Sequence, residues 1–194
     1  SKMRTLDRDT AGVVAGSAGN HAQALADAAR AHGIPCEVYV PEDAPIGKVA
    51  AVRSFGATVH QGGAGVGDCL DSARAAADER DLTFVSPYDD YDVIAGQAGA
   101  GLELLETVPD LARVVVPVGG GGLATGLAAA IRGARPEVDV VGVRAAQLGH
   151  TIADGIAVKQ PGRITGPLLE EWLTDVVAVE EEPIATIRRG WRSF

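Results

Sequence analysis

Aromatic residues make up only 4% of this 194-residue sequence, and its two cysteines, Cys36 and Cys69, stand far apart in no CxxC spacing. So thin a cysteine content predicts two reduced thiols in a cytoplasmic protein rather than a disulfide framework. No run of 18 or more apolar residues occurs, so no transmembrane helix is indicated. The N-terminus lacks a charged start followed by an apolar core, and no signal peptide is read there. Positive charge is in deficit: 17 Lys and Arg against 26 Asp and Glu give a net charge of −9. A protein that grips nucleic-acid phosphates or an anionic membrane would be expected to be basic. Neither nucleic acid nor membrane is therefore an expected partner. Lysine is especially rare, with only Lys2, Lys48 and Lys159. No 20–50 residue repeat and no low-complexity linker is present.

What is present is 46% hydrophobic residues, enough for a real core in one or two lobes. The 25 glycines show no G-x-y period, which excludes collagen. Short β-branched runs alternate with longer alanine-rich stretches. Strands are expected at residues 12–16, 37–40, 58–61, 82–85, 113–118, 139–143 and 175–179. Helices are expected at 20–31, 46–55, 67–80, 92–106, 123–131 and 166–173. Gly33, Pro41, Gly56, Pro87 and Pro109 punctuate the joints. This βαβα rhythm predicts an α/β fold of doubly wound, mostly parallel sheets covered on both faces. A boundary near Leu82 gives a smaller lobe at 10–81 and a larger one at 82–194.

Two loops carry chemistry. In the first, Val115-Val116-Pro117-Val118 runs into Gly119, Gly120, Gly121 and Gly122, then into a helix from Leu123. Glycines have no side chains to block a ligand, their N–H groups can form a concave cradle, and the helix start adds a favourable dipole. That combination predicts a phosphate site; the plain alternative is a tight, closely packed strand-to-helix turn. The second loop is Gly16-Ser17-Ala18-Gly19-Asn20-His21, again leading from a strand into a helix. Its amides and the Ser17 hydroxyl could hold a carboxylate, or Ser17 or Asn20 could simply cap the helix. Taken together, the loops suggest one ligand bearing a phosphate and a carboxylate, at the strand ends where such sheets bind ligands.

Ser17-Ala18-Gly19-Asn20-His21 and residues 116–123 resemble the signature loops of threonine/serine dehydratases and serine racemases. Ala44-Pro45 with Lys48, Gly56-Ala57, Ile94-Ala95-Gly96-Gln97 with Gly101-Leu102-Glu103, and Thr151-Ile152-Ala153-Asp154-Gly155 follow the same pattern over residues 11–186. The resemblance implies the tryptophan-synthase-β-like architecture, fold type II of the pyridoxal-phosphate enzymes. It implies pyridoxal 5′-phosphate as cofactor, with the phosphate on Gly119, Gly120, Gly121, Gly122 and Leu123. Asn20 would contact the ring hydroxyl and Gly155 would lie near the ring. Ser17, Ala18, Gly19 and His21 would hold the substrate carboxylate. In such enzymes a lysine forms the Schiff base and removes the Cα proton, so that the β-hydroxyl leaves and a 2-keto acid and ammonia result.

The sequence departs from that pattern in several places. Ser1-Lys2-Met3-Arg4 looks like the stretch bearing the family lysine, without its phenylalanine and close to Ser17; Lys2 is the candidate Schiff-base lysine, against a solvated terminal lysine. The chain is shorter than relatives between Arg144 and Thr151, where some bind a divalent cation, and Arg144 occupies the usual glutamate position; no metal site is expected. The resemblance stops after Thr186, which leaves out the partner of the cofactor's ring nitrogen, and the chain reads as incomplete at both ends. Ala18 stands where racemases carry a serine base, which favours elimination. His21 and His60 read as structural or surface residues, Asp89, Asp90 and Asp92 as a turn and cap, and Arg188, Arg189 and Arg192 as a solvated tail. Two alternatives stay open. Gly119-x-Gly121-x-x-Ala124, followed by Arg144, formally fits an NADP-binding oxidoreductase. An incomplete, non-catalytic homologue is the other. The choice among threonine, serine and similar hydroxy-amino-acid substrates is not legible, nor is the choice between a monomer and a homo-oligomer.

Overall fold

The computed structural model describes residues 2–6, 10–17, 19–147 and 151–191, the last four of them by backbone alone. The chain divides into two compact units, Ser1–Pro87 and Tyr88–Phe194. No helix among the described residues is long and apolar enough to cross a membrane.

The first unit alternates β1 (Val13–Gly16), α1 (Asn20–His32), β2 (Cys36–Val40), α2 (Ile46–Ser54), β3 (Thr58–Gln61), α3 (Val66–Arg80) and β4 (Thr83–Phe84). Its sheet has the order β3-β2-β1-β4, with every pairing parallel. Helix α1 forms because Ala22, Leu25, Ala26 and Ala29 recur at helical spacing and are all buried. It stops at Gly33, whose φ of 67° lets its N–H turn back to the carbonyls of Ala29 and Arg30. The strand order reverses after β3. Right-handed crossovers therefore put α1 and α2 on one face and α3 on the other. Val13, Val14 and Ala15 of β1 are fully buried as a result. Helix α3 lies so close to β1 that a Cβ on Gly16 would fall on the Cys69 backbone. The reversal sits between β1 and β4, so the loops leaving those two strands flank the crevice where sheets of this type take ligands.

The second unit comprises α4 (Tyr91–Thr107), β5 (Arg113–Pro117), α5 (Gly122–Ala134), β6 (Asp139–Ala145), α6 (Thr165–Trp172), β7 (Asp175–Val179) and α7 (Glu181–Trp191). Its parallel sheet has the order β5-β6-β7. Val114, Val116, Val140, Leu127, Ile131 and Leu169 form the centre of its core. Glycines let α4 and α5 approach closely: a Cβ on Gly101 would lie 2.9 Å from the Leu127 carbonyl oxygen.

Three expectations change here. Both crossovers of the second sheet run in the same direction, so α5 and α6 share one face. On the other face Val115 is 63% exposed. Covering on both faces is thus a property of the first sheet alone among the described residues. The division falls after Pro87 rather than after Asp81, because Thr83 and Phe84 pair with Val13 and Val14 of β1. Finally, the stretch read as a basic tail contributes to α7, whose first turn carries Glu181 and Glu182, a favourable placement for negative charge. Arg188 and Arg189 lie on that helix, and Arg192 lies outside the described residues.

Candidate functional site

Val118 N–H still donates to Val143 O at 2.8 Å, which carries the β5–β6 ladder up to the glycines. Helix α5 opens at Gly122, and Thr125 N–H to Gly121 O, at 2.8 Å, is its first turn of bonding. Among the described residues no protein acceptor meets the N–H groups of residues 119–124. Gly120, Gly121 and Gly122 are nonetheless buried. A buried donor left without a partner costs about 1–3 kcal/mol. Consecutive donors of this kind at a helix start, with the dipole behind them, are suited to an anion. A phosphate fits what these residues offer.

The reason for four glycines differs from the one read in the sequence. The space behind the loop is filled by the protein itself. A Cβ on Gly119 would lie 2.9 Å from Ile156 Cα, and one on Gly122 would lie 2.8 Å from Tyr88 Cα. One on Gly120 would fall on the Tyr88 ring. Gly121 combines φ of 98° with Thr165 Oγ1 at 2.9 Å from the position of its Cβ. The absent side chains let the backbone seat against Tyr88, Ile156 and Thr165, and the N–H groups keep their freedom to meet a ligand.

Behind the loop lies a buried clamp. Thr165 is fully buried, and its hydroxyl donates to Gly120 O at 2.6 Å while accepting from Gly162 N–H at 2.8 Å. Gly162 N–H also reaches Gly120 O at 3.2 Å. The Asp89 carboxylate accepts from the N–H groups of Arg163 (3.0 Å), Ile164 (2.7 Å) and Thr165 (3.3 Å), and so caps the start of α6. Its neighbour Asp90 caps α4, accepting from Asp92 N–H at 2.8 Å. Gly155 sits exposed in a 3-10 turn, Asp154–Ile156, whose Ile156 packs on Gly119. Ile152 N–H donates to Glu181 at 3.0 Å and ties this segment to α7. Sequence reasoning missed Tyr88, Gly162 and Thr165 and saw Asp89 only as turn and cap. Their roles come from contacts made far along the chain, for which no local pattern exists. Leu123 is 39% exposed, so its backbone N–H is what it can give to the site.

In the first unit, Ser17 N–H donates to Tyr39 O at 3.0 Å, and Ser17 Oγ accepts from Gly19 N–H at 3.2 Å. Gly19 is the cap residue of α1, with no side-chain cap hydrogen bond among the described residues, so neither Ser17 nor Asn20 serves as its N-cap. Asn20 is exposed at the first helical position. His21 Nε2 donates to the Val85 carbonyl at 3.1 Å and pins α1 to the end of β4. Ala18 lies outside the described residues. Lys2 occupies a 3-10 turn, Lys2–Arg4, whose Lys2 carbonyl accepts from Thr5 N–H at 3.0 Å. Burial is the main force pushing the Cys36 and Cys69 thiols up to about 11, with Glu37 adding for Cys36 and Asp68 and Asp43 for Cys69. These are inert packing residues.

The pyridoxal-phosphate dependent enzyme family profile matches residues 2–190, a longer span than the 11–186 read from motifs. An L-threonine ammonia-lyase of Geobacter sulfurreducens is 44% identical over 191 residues, which is 90% of this chain and 48% of that protein. The crystal structure of a T.th. threonine deaminase superposes with a TM-score of 0.88 at 35% identity, covering 97% of this chain and 67% of that one. Dictyostelium discoideum serine racemase gives a TM-score of 0.84 at 33% identity, covering 95% and 65%. The chain spans about half the length of the curated relatives it matches. The dinucleotide reading of the glycine run is thereby set aside, and the glycine loop has its chemical context: the chain belongs to the pyridoxal-phosphate dependent enzymes.

Proposed function

We propose that this chain carries the phosphate site and the amino-acid loop of an ammonia-lyase that removes the β-hydroxyl of threonine or serine, giving a 2-keto acid and ammonia. The observation that carries this reading is the row of N–H groups at residues 119–124 that meet no protein acceptor among the described residues, on a loop whose Gly120, Gly121 and Gly122 are buried. Pyridoxal phosphate, when bound, supplies a conjugated ring that accepts the electron pair left at Cα.

The chain's residues then take the following parts. The N–H groups of Gly119, Gly120, Gly121, Gly122 and Leu123 hold the phosphate. Ser17 Oγ already accepts from Gly19 N–H, which leaves its own proton to donate to the substrate carboxylate. Asn20, exposed at the head of α1, contacts the ring hydroxyl. His21, spoken for through Nε2, positions the start of α1 rather than grasping the carboxylate with that nitrogen. Gly155 lies near the ring. Lys2 is the candidate amine. It rests on a single 3-10 turn, a poor platform for a base that must be held within about 0.5 Å of its working position.

The 194-residue chain is therefore expected to bind the cofactor and to turn over threonine and serine at no more than background. Borohydride reduction with pyridoxal phosphate followed by peptide mapping, alongside a keto-acid assay, checks both points. Robust turnover that vanishes in Lys2→Ala would show that the terminal turn is rigid enough after all. Absence of cofactor binding would refute the phosphate site.

A further inference from the structure

An anion cradle made of peptide N–H groups works only if its peptide planes are fixed, and glycine residues are the least able to fix them. The source of that rigidity is visible in the second unit. The carbonyl of Gly120 receives two hydrogen bonds from the segment that begins α6, from Thr165 Oγ1 at 2.6 Å and from Gly162 N–H at 3.2 Å. In a trans peptide the C=O and the following N–H point in opposite directions. Anchoring Gly120 O toward α6 therefore aims Gly121 N–H away from it, out of the loop. The positive φ of Gly121 is the backbone conformation that this turn of the plane requires.

We propose that Thr165 and Asp89 are positioning residues that lock the Gly120–Gly121 peptide so that its N–H is presented to the cofactor phosphate. This rests on the phosphate site proposed above. Thr165 is suited to the task because its hydroxyl has a single proton and two neighbours that remove any ambiguity. Gly162 N–H can only donate, so the Thr165 proton goes to Gly120 O. Full burial keeps water from competing for that bond. Asp89 holds the backbone on which Thr165 stands, through three N–H groups in a row. It stands next to Tyr88, whose ring lies where a Gly120 side chain would be, so one short segment braces the loop from two directions. Gly162 is part of the same arrangement, because a Cβ there would fall on the Asp89 carboxylate.

The test compares pyridoxine 5′-phosphate with pyridoxine, which lack the aldehyde and so bind without engaging a lysine. Equilibrium titrations on the full chain give the ratio of the two affinities, which isolates the phosphate's contribution. Thr165→Val keeps the shape and removes the hydroxyl; it should lower the phosphate preference about tenfold, the loss expected when a hydrogen bond to a charged group is misdirected. Thr165→Ser should stay within about threefold of the wild type, since it restores the donor. Asp89→Asn should fall between the two, and the 31P line of bound ligand should broaden in Thr165→Val and not in Thr165→Ser. Urea denaturation of each variant identifies any that fails to fold. A Thr165→Val chain that folds and keeps the wild-type ratio overturns the proposal. So does equal weakening of both ligands, or the same loss in Thr165→Ser, since either means general destabilisation. A wild-type chain with no preference for the phosphorylated ligand would refute the phosphate site itself and this inference with it.

Discussion

Gly121→Ala probes the loop at its most constrained point. At φ of 98° an L side chain is strained, at a cost of about 1–3 kcal/mol. The added Cβ would also lie 2.8 Å from Leu169 Cδ1 and 2.9 Å from both Cβ and Oγ1 of Thr165. Thr165 is fully buried and bonded to Gly120 O, so it cannot move aside without giving up that bond. Overpacking of this kind costs about 1–3 kcal/mol. Against these stands the lower unfolded-chain entropy of alanine, which offsets about 0.4–1 kcal/mol. The net loss should be about 1–5.6 kcal/mol, a large part of the ~5–15 kcal/mol of a typical domain. Gly155→Ala is the matched control: nothing lies within 4 Å of its Cβ position and its φ is not positive, so its effect should stay within about 0.5 kcal/mol. Urea denaturation followed by tryptophan fluorescence measures the relevant part of the molecule, since Trp172 and Trp191 both belong to the second unit. Equal stabilities for Gly121→Ala and the wild type would refute the packing argument. A destabilised Gly155→Ala would show that glycine replacement in general, rather than this site, is responsible. The same result bears on ligand-binding tests: bulky residues at Gly120 or Gly121 disturb the fold as well as the cradle, so Thr165→Val is the cleaner probe.

Two further outcomes follow from the first unit. With both thiols raised to about 11, iodoacetamide should alkylate Cys36 and Cys69 at pH 8 about a hundredfold more slowly in the native chain than in urea, with the native rate rising toward pH 11; labelling at the unfolded rate would contradict their burial. Ser17→Ala should weaken serine binding in equilibrium dialysis by about tenfold or more, the worth of a hydrogen bond to a carboxylate, and leave pyridoxine 5′-phosphate affinity unchanged. An unaltered serine affinity would remove Ser17 from the substrate loop.

Much of the local structure is legible in the sequence alone, for a definite reason. Period-two and period-3.6 patterns arise from side chains a few residues apart, so β3 and β7 have the bounds expected at 58–61 and 175–179. The glycine loop was legible too, because a strand, a glycine run and a helix start are consecutive in the chain. Its cause was only half readable. The sequence shows that side chains are absent at residues 119–122; it does not show that Tyr88, Ile156 and Thr165 occupy the space behind them.

The remainder required the tertiary fold because it depends on separations that no local pattern encodes. Thr165 lies 45 positions from the carbonyl it binds, and Asp89 lies 74 to 76 positions from the N–H groups it caps. A threonine in an ordinary helix start and an aspartate beside a tyrosine look like routine capping residues in one dimension. Strand order likewise decides what crossover handedness does with the helices. The reversal at β1 buries that strand on both faces, while the one-way order β5-β6-β7 leaves Val115 facing out. The residue types and their spacing determined where an anion could be bound. Chain connectivity in three dimensions decided which buried hydroxyl meets the Gly120 carbonyl, since a hydrogen bond acts over about 3 Å of space whatever the distance along the chain.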